Sequence, residues 1–154
     1  MTTEPLSNHP KLGLALERLD RADLVVACAA PAPPELLQAI REFNAGLFFD
    51  QHETLELLWR ATPDEIRHLY EGILLVGVGL YHLFTKRNFR GSAVKLDHGI
   101  RLLEAFPGVC HGVDVGRLRA DARAARAHLL ELGPERLAAF DRGRIPRVYL
   151  IGEP

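Results

Sequence analysis

This 154-residue chain is poor in cysteine and lysine, and it has no long hydrophobic run. Its two cysteines, Cys28 and Cys110, are isolated from each other and from any CxxC pair, which excludes a cysteine-cluster metal site. We therefore expect two buried or half-buried free thiols in a reducing cytoplasm. The longest apolar run, residues 73–80 with neighbours to 84, is about a dozen residues, whereas a membrane span needs about 20. The sequence thus predicts a cytoplasmic protein without a membrane segment.

An excess of charge of one sign is also absent. The formal net charge is −1, so the whole molecule has no field that would attract nucleic acid or an anionic membrane. A local basic group, Lys86, Arg87 and Arg90 around Phe89, has the composition of a phosphate contact. A solvated connection between two helices, with Asn88 as a helix cap, is the simpler interpretation. Neither nucleic acid nor membrane is an expected partner.

What the chain does have is helical periodicity over nearly its whole length. Apolar residues make up 47% and charged residues 25%, as in ordinary globular proteins, and the length suits one domain over residues 1–154. The pattern predicts an all-α fold, a compact helical bundle of about five to six helices with an extended C-terminal tail. The expected helices cover residues 12–29, 34–44, 47–60, 63–86, 89–105 and 114–132, with a short helical piece at 135–140. The extended tail, residues 144–151, would pack across the bundle or add to a partner.

The start of the fourth helix carries a typical signal. Thr62 is placed to cap it, Pro63 suits its first turn, and Glu65 would complete a capping box. The same helix contains Gly72, Gly77 and Gly79, each of which lowers helix propensity by about 1 kcal/mol relative to Ala. Such glycines indicate close approach of another backbone or of bulky side chains, for which Trp59 and the Phe48/Phe49 pair are candidates.

The densest group of ionisable residues lies on the third helix. His52 and Glu56 are one turn apart, so their side chains are neighbours. At about 100° per residue, both fall inside a stripe of aromatic residues formed by Phe48, Phe49 and Trp59. A buried charge is costly without a partner, so we expect a side chain, a metal or a substrate to meet this pair.

A divalent metal is the first interpretation, because helical bundles commonly build metal sites from paired ligands on facing helices. His52 and Glu56 would be ligands, and Glu53 a further ligand or the catalytic base. On the fourth helix, an antiparallel hairpin places Glu71 nearest to the pair. His82 lies about two turns further along, so its role as another ligand needs a different helix arrangement and stays open. The second His of the HExxH motif is missing, so this is no standard zinc peptidase pattern. The identity of the metal is not specified.

The alternative is structural. His52 and Glu56 would then bond to each other, to Arg60 or to the backbone near Gly46, and would stabilise the packing without chemistry. Of the other histidines, His68 lies near the same edge of the fourth helix, and His98 is expected at the surface. His9, His111 and His128 have no neighbouring ligand pattern and are interpreted as incidental.

The ordered motif resembles that of the uncharacterised prokaryotic "domain of unknown function 309" family over about residues 40–103. The matching residues are Phe43-Asn44, Gly46, Phe48-Phe49, His52-Glu53, Glu56, Trp59, Gly72-Ile73, Tyr81-His82, Asn88, Arg90-Gly91 and Ala93. The resemblance implies a small all-α fold, and some relatives are labelled predicted metal-dependent hydrolases. Its polar positions correspond to His52, Glu53, Glu56 and His82. The chain departs from the pattern at Glu71, where glutamine is expected, and at Gly77 and Gly79, where alanine is usual.

Two functional hypotheses follow. The first is a divalent-metal-dependent hydrolase of a small-molecule substrate, with His52, Glu56 and His82 as metal ligands and Glu53 as the catalytic residue. The second is a non-enzymatic helical scaffold or dimerising adaptor, whose partner is a second copy of the chain. In the second hypothesis the His/Glu cluster is a structural hydrogen-bond network.

Overall fold

Six α-helices make up most of residues 20–152, the part of the chain that the computed structural model describes. They are α1 (Arg21–Ala29), α2 (Pro34–Asn44), α3 (Phe48–Ala61), α4 (Arg67–Phe84), α5 (Phe89–Glu104) and α6 (Val115–Leu132). Two antiparallel strands of two residues, β1 (Val109–Cys110) and β2 (Val113–Asp114), lie between α5 and α6, and 3-10 turns follow at Pro134–Ala139 and Arg142–Arg144. The predicted all-α fold is confirmed. Within this part of the chain, no helix is long and apolar enough to cross a membrane.

Local signals place most helix ends. The side chain of Asn88 accepts a hydrogen bond from the Gly91 backbone N–H at the start of α5, and Asp114 does the same for Arg117 at the start of α6. Asp20 is extended and caps a helix that begins at Arg21, inside the predicted range of 12–29; residues 12–19 of that range lie outside the described residues.

The predicted capping box at the start of α4 is wrong. Thr62 ends α3 instead, and its hydroxyl donates to the Leu58 carbonyl at 2.7 Å. A short turn then intervenes, and α4 begins at Arg67 without a side-chain cap. A threonine after a helical run serves the preceding helix as readily as the next one, since its hydroxyl both donates and accepts.

Helix α4 is the central helix of the bundle and packs on α5 and on α3. Its glycines make this close packing possible: Gly72 lies against Leu103, Gly79 against Leu96, and Gly77 against the side chain of Gln51. The close approach predicted from these glycines is confirmed. The expected neighbours Trp59, Phe48 and Phe49 were wrong, since two leucines of α5 and a glutamine of α3 lie there.

The C-terminal tail packs across its own chain. The side-chain amide of Asn44 donates to the Val148 carbonyl at 2.9 Å and accepts from the Val148 N–H at 2.8 Å. Leu150 forms a bridge with Val113 of β2, and the Ile151 N–H donates to the Gly112 carbonyl at 2.7 Å. One asparagine side chain and the small hairpin therefore hold the end of the chain on the bundle.

The two cysteines do not remain free thiols. Cys28, in the last turn of α1, forms a disulfide with Cys110 of β1. The prediction of two free thiols is therefore wrong, because folding brings together residues that are 82 positions apart. The inference of a reducing cytoplasm loses this support, and cytoplasmic localisation stays a prediction.

Candidate functional site: the outer side of the third helix

Helix α3 buries a different face from the one its aromatic residues suggest. Its buried residues are Phe48, Gln51 and Leu55. The side chains of His52 and Glu56 keep 35% and 34% of their surface exposed. The predicted buried His/Glu pair is therefore wrong, and the pair lies at the boundary between the core and solvent.

The helical wheel explains this outcome. Measured from Phe48 at about 100° per residue, Leu55 and Gln51 lie about 20° and 60° to one side, and His52 and Glu56 about 40° and 80° to the other. The aromatic stripe and the buried face overlap only at Phe48. Leu55 is apolar and lies on the side of Phe48 opposite to His52. Its burial therefore turns that side of α3 toward the core and leaves His52 and Glu56 at the edge.

His52, Glu56 and Arg60 form a line of contacts along this boundary. The Nε2 atom of His52 is 3.4 Å from Oε2 of Glu56, and an Arg60 guanidinium nitrogen donates to Oε1 of Glu56 at 2.6 Å. This is the contact pattern expected if the cluster is structural. Pairs of this kind on a solvated helix contribute about 0.3–0.5 kcal/mol each, so they add little to stability.

The polar group that α3 does bury is Gln51, which the sequence analysis did not single out. Its side chain is fully buried, and Nε2 donates to the Leu74 carbonyl at 3.2 Å. The Oε1 atom has no hydrogen-bond partner among the residues that the structure describes. Two features of the sequence are consistent with this burial. Gln51 lies three positions after Phe48, on the same side of α3, and the facing helix has a glycine, Gly77, which leaves room for the amide.

A small recess separates α3 from the C-terminal half of α4. Its volume is about 160 Å³, and its walls are mostly apolar; they are formed by Phe48, Phe49, His52, Val78, Tyr81 and His82. Phe49 covers one side, with its ring centroid 5.9 Å from that of Tyr81 and 6.2 Å from that of His52. Two of the predicted ligands, His52 and His82, therefore face the same recess.

The other predicted residues are not brought into the recess. Glu53 is exposed to solvent, and Glu56 lies beside His52 but does not line the recess walls. Glu71 contacts His68, at 3.5 Å, so the preference for Glu71 over His82 as the facing residue was wrong. Glu71 does not line the recess, whereas Tyr81 and His82 line it together with Phe49 and His52.

The surroundings of His82 favour its uncharged form. Burial lowers the pKa of His82 below its ordinary value, and the positive charges of Lys95 and Lys86 lower it further. Its Nδ1 atom is buried without a hydrogen-bond partner among the described residues and lies beside Gly91, where any larger residue would collide with it. A neutral imidazole in an apolar wall is able to accept or donate one hydrogen bond to a bound group.

A complete metal site is not present among residues 20–152, where no group of three or more His, Cys, Asp or Glu side chains is placed to hold a metal ion. His52 and His82 share the recess, but the carboxylate nearest to them is already bonded to Arg60. The donor set that the geometry offers is therefore two imidazoles.

Comparison with known proteins agrees with the motif. A protein-family model described as "Domain of unknown function (DUF309)" matches residues 36–95, which confirms the resemblance found in the sequence. The match contains most of α2, all of α3 and α4 and the start of α5, including every side chain that lines the recess. No curated protein matches the chain. The family description assigns no activity.

Proposed function

We propose that the protein is a non-enzymatic helical scaffold that pairs with a second copy of itself through the outer face of α3. The observation that carries the proposal is the exposure of two large apolar side chains on that face. Phe49 is 52% exposed and Leu57 is 71% exposed, and they lie two turns apart. Large apolar side chains that remain in water beside an apolar recess are typical of interaction sites.

Charge on the same side of the molecule supports pairing between identical copies. The exposed acids Asp50 and Glu53 lie on α3, and the exposed base Lys86 follows α4, with its Nζ atom 5.8 Å from the centre of the Tyr81 ring. In a two-fold dimer, each contact occurs twice with the roles exchanged. Asp50 and Glu53 of one copy would then face Lys86 of the other. An apolar side chain of each copy would enter the recess of its partner.

Sedimentation analysis of the tag-free protein over a range of concentrations tests this proposal. We expect a monomer–dimer equilibrium that Leu57→Glu shifts at least about tenfold toward monomer, because it places a charge in the apolar contact. Val26→Glu is the matched control, since Val26 is 74% exposed on α1, and this variant should dimerise like the parent protein.

Charge reversal gives an independent check on the pairing. Glu53→Lys should weaken the dimer, and combining it with Lys86→Glu should restore it. A chain that stays monomeric at all accessible concentrations, or one whose dimer depends on Val26 rather than Leu57, contradicts the proposal.

A divalent-metal-dependent hydrolase is the second candidate, and the placement of His52 and His82 in one recess favours it. In that case His52, His82 and Glu56 would hold the metal, after Glu56 leaves Arg60, and Glu53 would act as the base. A bound divalent cation would supply Lewis-acid activation of water. A small-molecule substrate would then occupy the recess.

Metal analysis separates the two candidates. Tag-free protein would be equilibrated with zinc, manganese or iron and the bound metal counted, with His82→Gln as the test variant and His128→Gln, on α6, as the control. The hydrolase predicts one ion per chain that is lost in His82→Gln only. The scaffold predicts no stoichiometric binding, together with dimers that His82→Gln leaves intact.

A further inference from the structure

We infer that a second groove, on the other side of Phe48, binds a small anionic ligand with a planar apolar body. The groove has a volume of about 540 Å³, which is in the usual range for small-molecule sites. It lies between the turn that joins α2 to α3, the C-terminal end of α4 and the tail after α6. Its site is distinct from the proposed dimer face, and nothing in the inference depends on dimerisation.

Aromatic rings form the floor of the groove. Phe43 and Phe48 are buried and pack edge to face, with ring centroids 5.5 Å apart. Phe84 is half-buried at the end of α4, and its ring centroid is 5.6 Å from that of Phe140. A flat apolar group would gain stacking and edge contacts on such a surface.

The rim of the groove is positively charged. Arg142 and Arg147 line it, and no aspartate or glutamate does. Neither arginine forms an ion pair with any carboxylate of residues 20–152. Arg142 lies over the Phe84 ring, with Cζ 4.6 Å from the ring centroid, and Arg147 donates to the Asn44 carbonyl at 3.4 Å. A guanidinium group has five N–H donors in one plane, so each arginine has donors left for a carboxylate or phosphate.

The backbone that carries both arginines is fixed before any ligand arrives. Arg147 precedes Val148, whose N–H and carbonyl are both bonded to the side chain of Asn44. Arg142 begins a 3-10 turn that Asp141 caps through the Gly143 N–H, at 2.9 Å. Since the supporting backbone is already ordered, binding costs mainly the ordering of two side chains.

The probe that combines both features is 1-naphthyl phosphate, titrated by calorimetry into the tag-free full chain. Its components, 1-naphthol and inorganic phosphate, test the ring and the anion separately, and 1-naphthoate tests a carboxylate in place of the phosphate. We expect saturable binding of the naphthyl anions at one site, each component alone binding at least about tenfold more weakly, and weaker binding at higher salt.

Variants assign the binding to the groove. Arg142→Gln and Arg147→Gln should each weaken 1-naphthyl phosphate binding about tenfold or more, because each removes a charge-assisted hydrogen bond. Arg21→Gln, at an exposed arginine of α1, is the matched control and should leave binding unchanged. Phe84→Leu should weaken the naphthyl anions more than inorganic phosphate, because it removes a ring contact in addition to the support that the Phe84 ring gives to Arg142.

The inference is overturned if 1-naphthyl phosphate shows no saturable binding, or if neither groove arginine affects it while Arg21→Gln does. Equal affinity for naphthyl phosphate and inorganic phosphate would likewise show that the aromatic rings of the groove do not contribute to binding, which contradicts the inference. The arginine variants are expected to unfold at the same temperature as the parent protein, and Arg142→Gln decides the matter if Arg147→Gln loosens the tail.

Discussion

A shift of one position along α3 determines whether the helix buries an amide or an ionisable pair. Gln51 occupies the position facing α4, and the neighbouring His52 lies at the edge of the core. An uncharged amide is far cheaper to bury than a carboxylate or an imidazolium, and one of its two N–H donors is bonded to the Leu74 carbonyl. The chemistry of the site thus depends on which of two adjacent residues faces inward.

The buried amide at position 51 gives a prediction about pH. Gln51→Met, of similar shape, should change the free energy of unfolding by less than about 1.5 kcal/mol at any pH. Gln51→Glu places a carboxyl group in the core, where burial raises its pKa above the ordinary value of about 4.3. The folded state then binds a proton that the unfolded state releases, so this variant should lose stability as pH rises above about 4.3, by at least about 2 kcal/mol at pH 7.

Urea unfolding between pH 4 and pH 7 measures the effect of both substitutions. The difference between Gln51→Glu and Gln51→Met should widen steadily with pH. If the two variants differ by the same amount at every pH, the side chain at position 51 is in contact with water and the described packing is incorrect.

His111 is a structural residue, contrary to its interpretation as incidental. It is buried, its Nδ1 donates to the Ala30 carbonyl at 2.8 Å, and its Nε2 shares a hydrogen bond with the Tyr70 hydroxyl at 3.1 Å. The carbonyl oxygen can only accept, so this contact places a proton on Nδ1, whereas the hydroxyl is able to donate or accept. Burial, together with the negative charge of Glu35, raises the pKa of Tyr70 to about 12.

The raised pKa of Tyr70 predicts a loss of stability in alkali. In the unfolded chain tyrosine ionises near pH 10, so the contribution of Tyr70 is fully present below pH 10 and is lost as pH rises toward 12. Tyr70→Phe should cost about 1 kcal/mol at pH 8, from the lost hydrogen bond, and should flatten the decline in unfolding free energy above pH 10. Tyr81→Phe, at a half-buried phenol of the recess, is the control and should keep the parent decline; a Tyr70→Phe profile parallel to the parent's would contradict the assignment.

At the scale of elements, the contact between α4 and α5 depends on glycine at positions where backbones meet. A Cβ atom added at Gly99 would lie 2.8 Å from the Gly72 carbonyl oxygen and 2.9 Å from the Val76 nitrogen. Backbone atoms of a packed helix cannot move aside as a side-chain end can. Gly116, near the start of α6, has no neighbour closer than 3.7 Å to the same added atom.

These two glycines give a matched pair of substitutions. Gly99→Ala should lower the free energy of unfolding by at least about 1–3 kcal/mol, because the two helices must separate. Gly116→Ala should be neutral or stabilising by up to about 1 kcal/mol, because alanine has the higher helix propensity and meets no obstacle. Thermal or urea unfolding measures both, and equal effects at the two positions would rule out backbone contact between α4 and α5.

Sequence alone predicts the elements that depend on local interactions. The cap at Asn88, the start of α6 near residue 114 and the close packing at the α4 glycines all follow from properties of the residue itself and its near neighbours. Thr62 shows the limit of this reasoning, since the same hydroxyl serves either of two helices. The buried face of α3 and the shared recess of His52 and His82 could not be predicted, because both depend on how α4 is rotated against α3.

At the scale of the whole molecule, three long-range connections link the segments outside the family match, and one of them, from Asn44, ties the tail to the matched region. The disulfide joins α1 to β1, the hairpin pairs with the tail at Leu150, and Asn44 of α2 binds the tail at Val148. Each contact joins residues that are far apart in the chain. None has a local signature, which explains why the cysteines were interpreted as separate thiols.

The disulfide, which joins residues 82 positions apart, gives a prediction about the stability of the whole molecule. Closing a loop of this length restricts the unfolded chain, so removing the bond with Cys28→Ser and Cys110→Ser together should lower the free energy of unfolding by about 2–4 kcal/mol. The backbone bond from the His111 N–H to the Cys28 carbonyl, at 2.8 Å, does not involve sulfur, so the variant should keep the same fold. The parent protein in excess dithiothreitol should unfold like the double variant. Without reductant, the mass of the parent protein should be lower than that of its reduced form by two hydrogen atoms. A parent protein that unfolds identically with and without reductant, and shows the mass of two thiols, would mean that α1 is held by its hydrogen bonds alone.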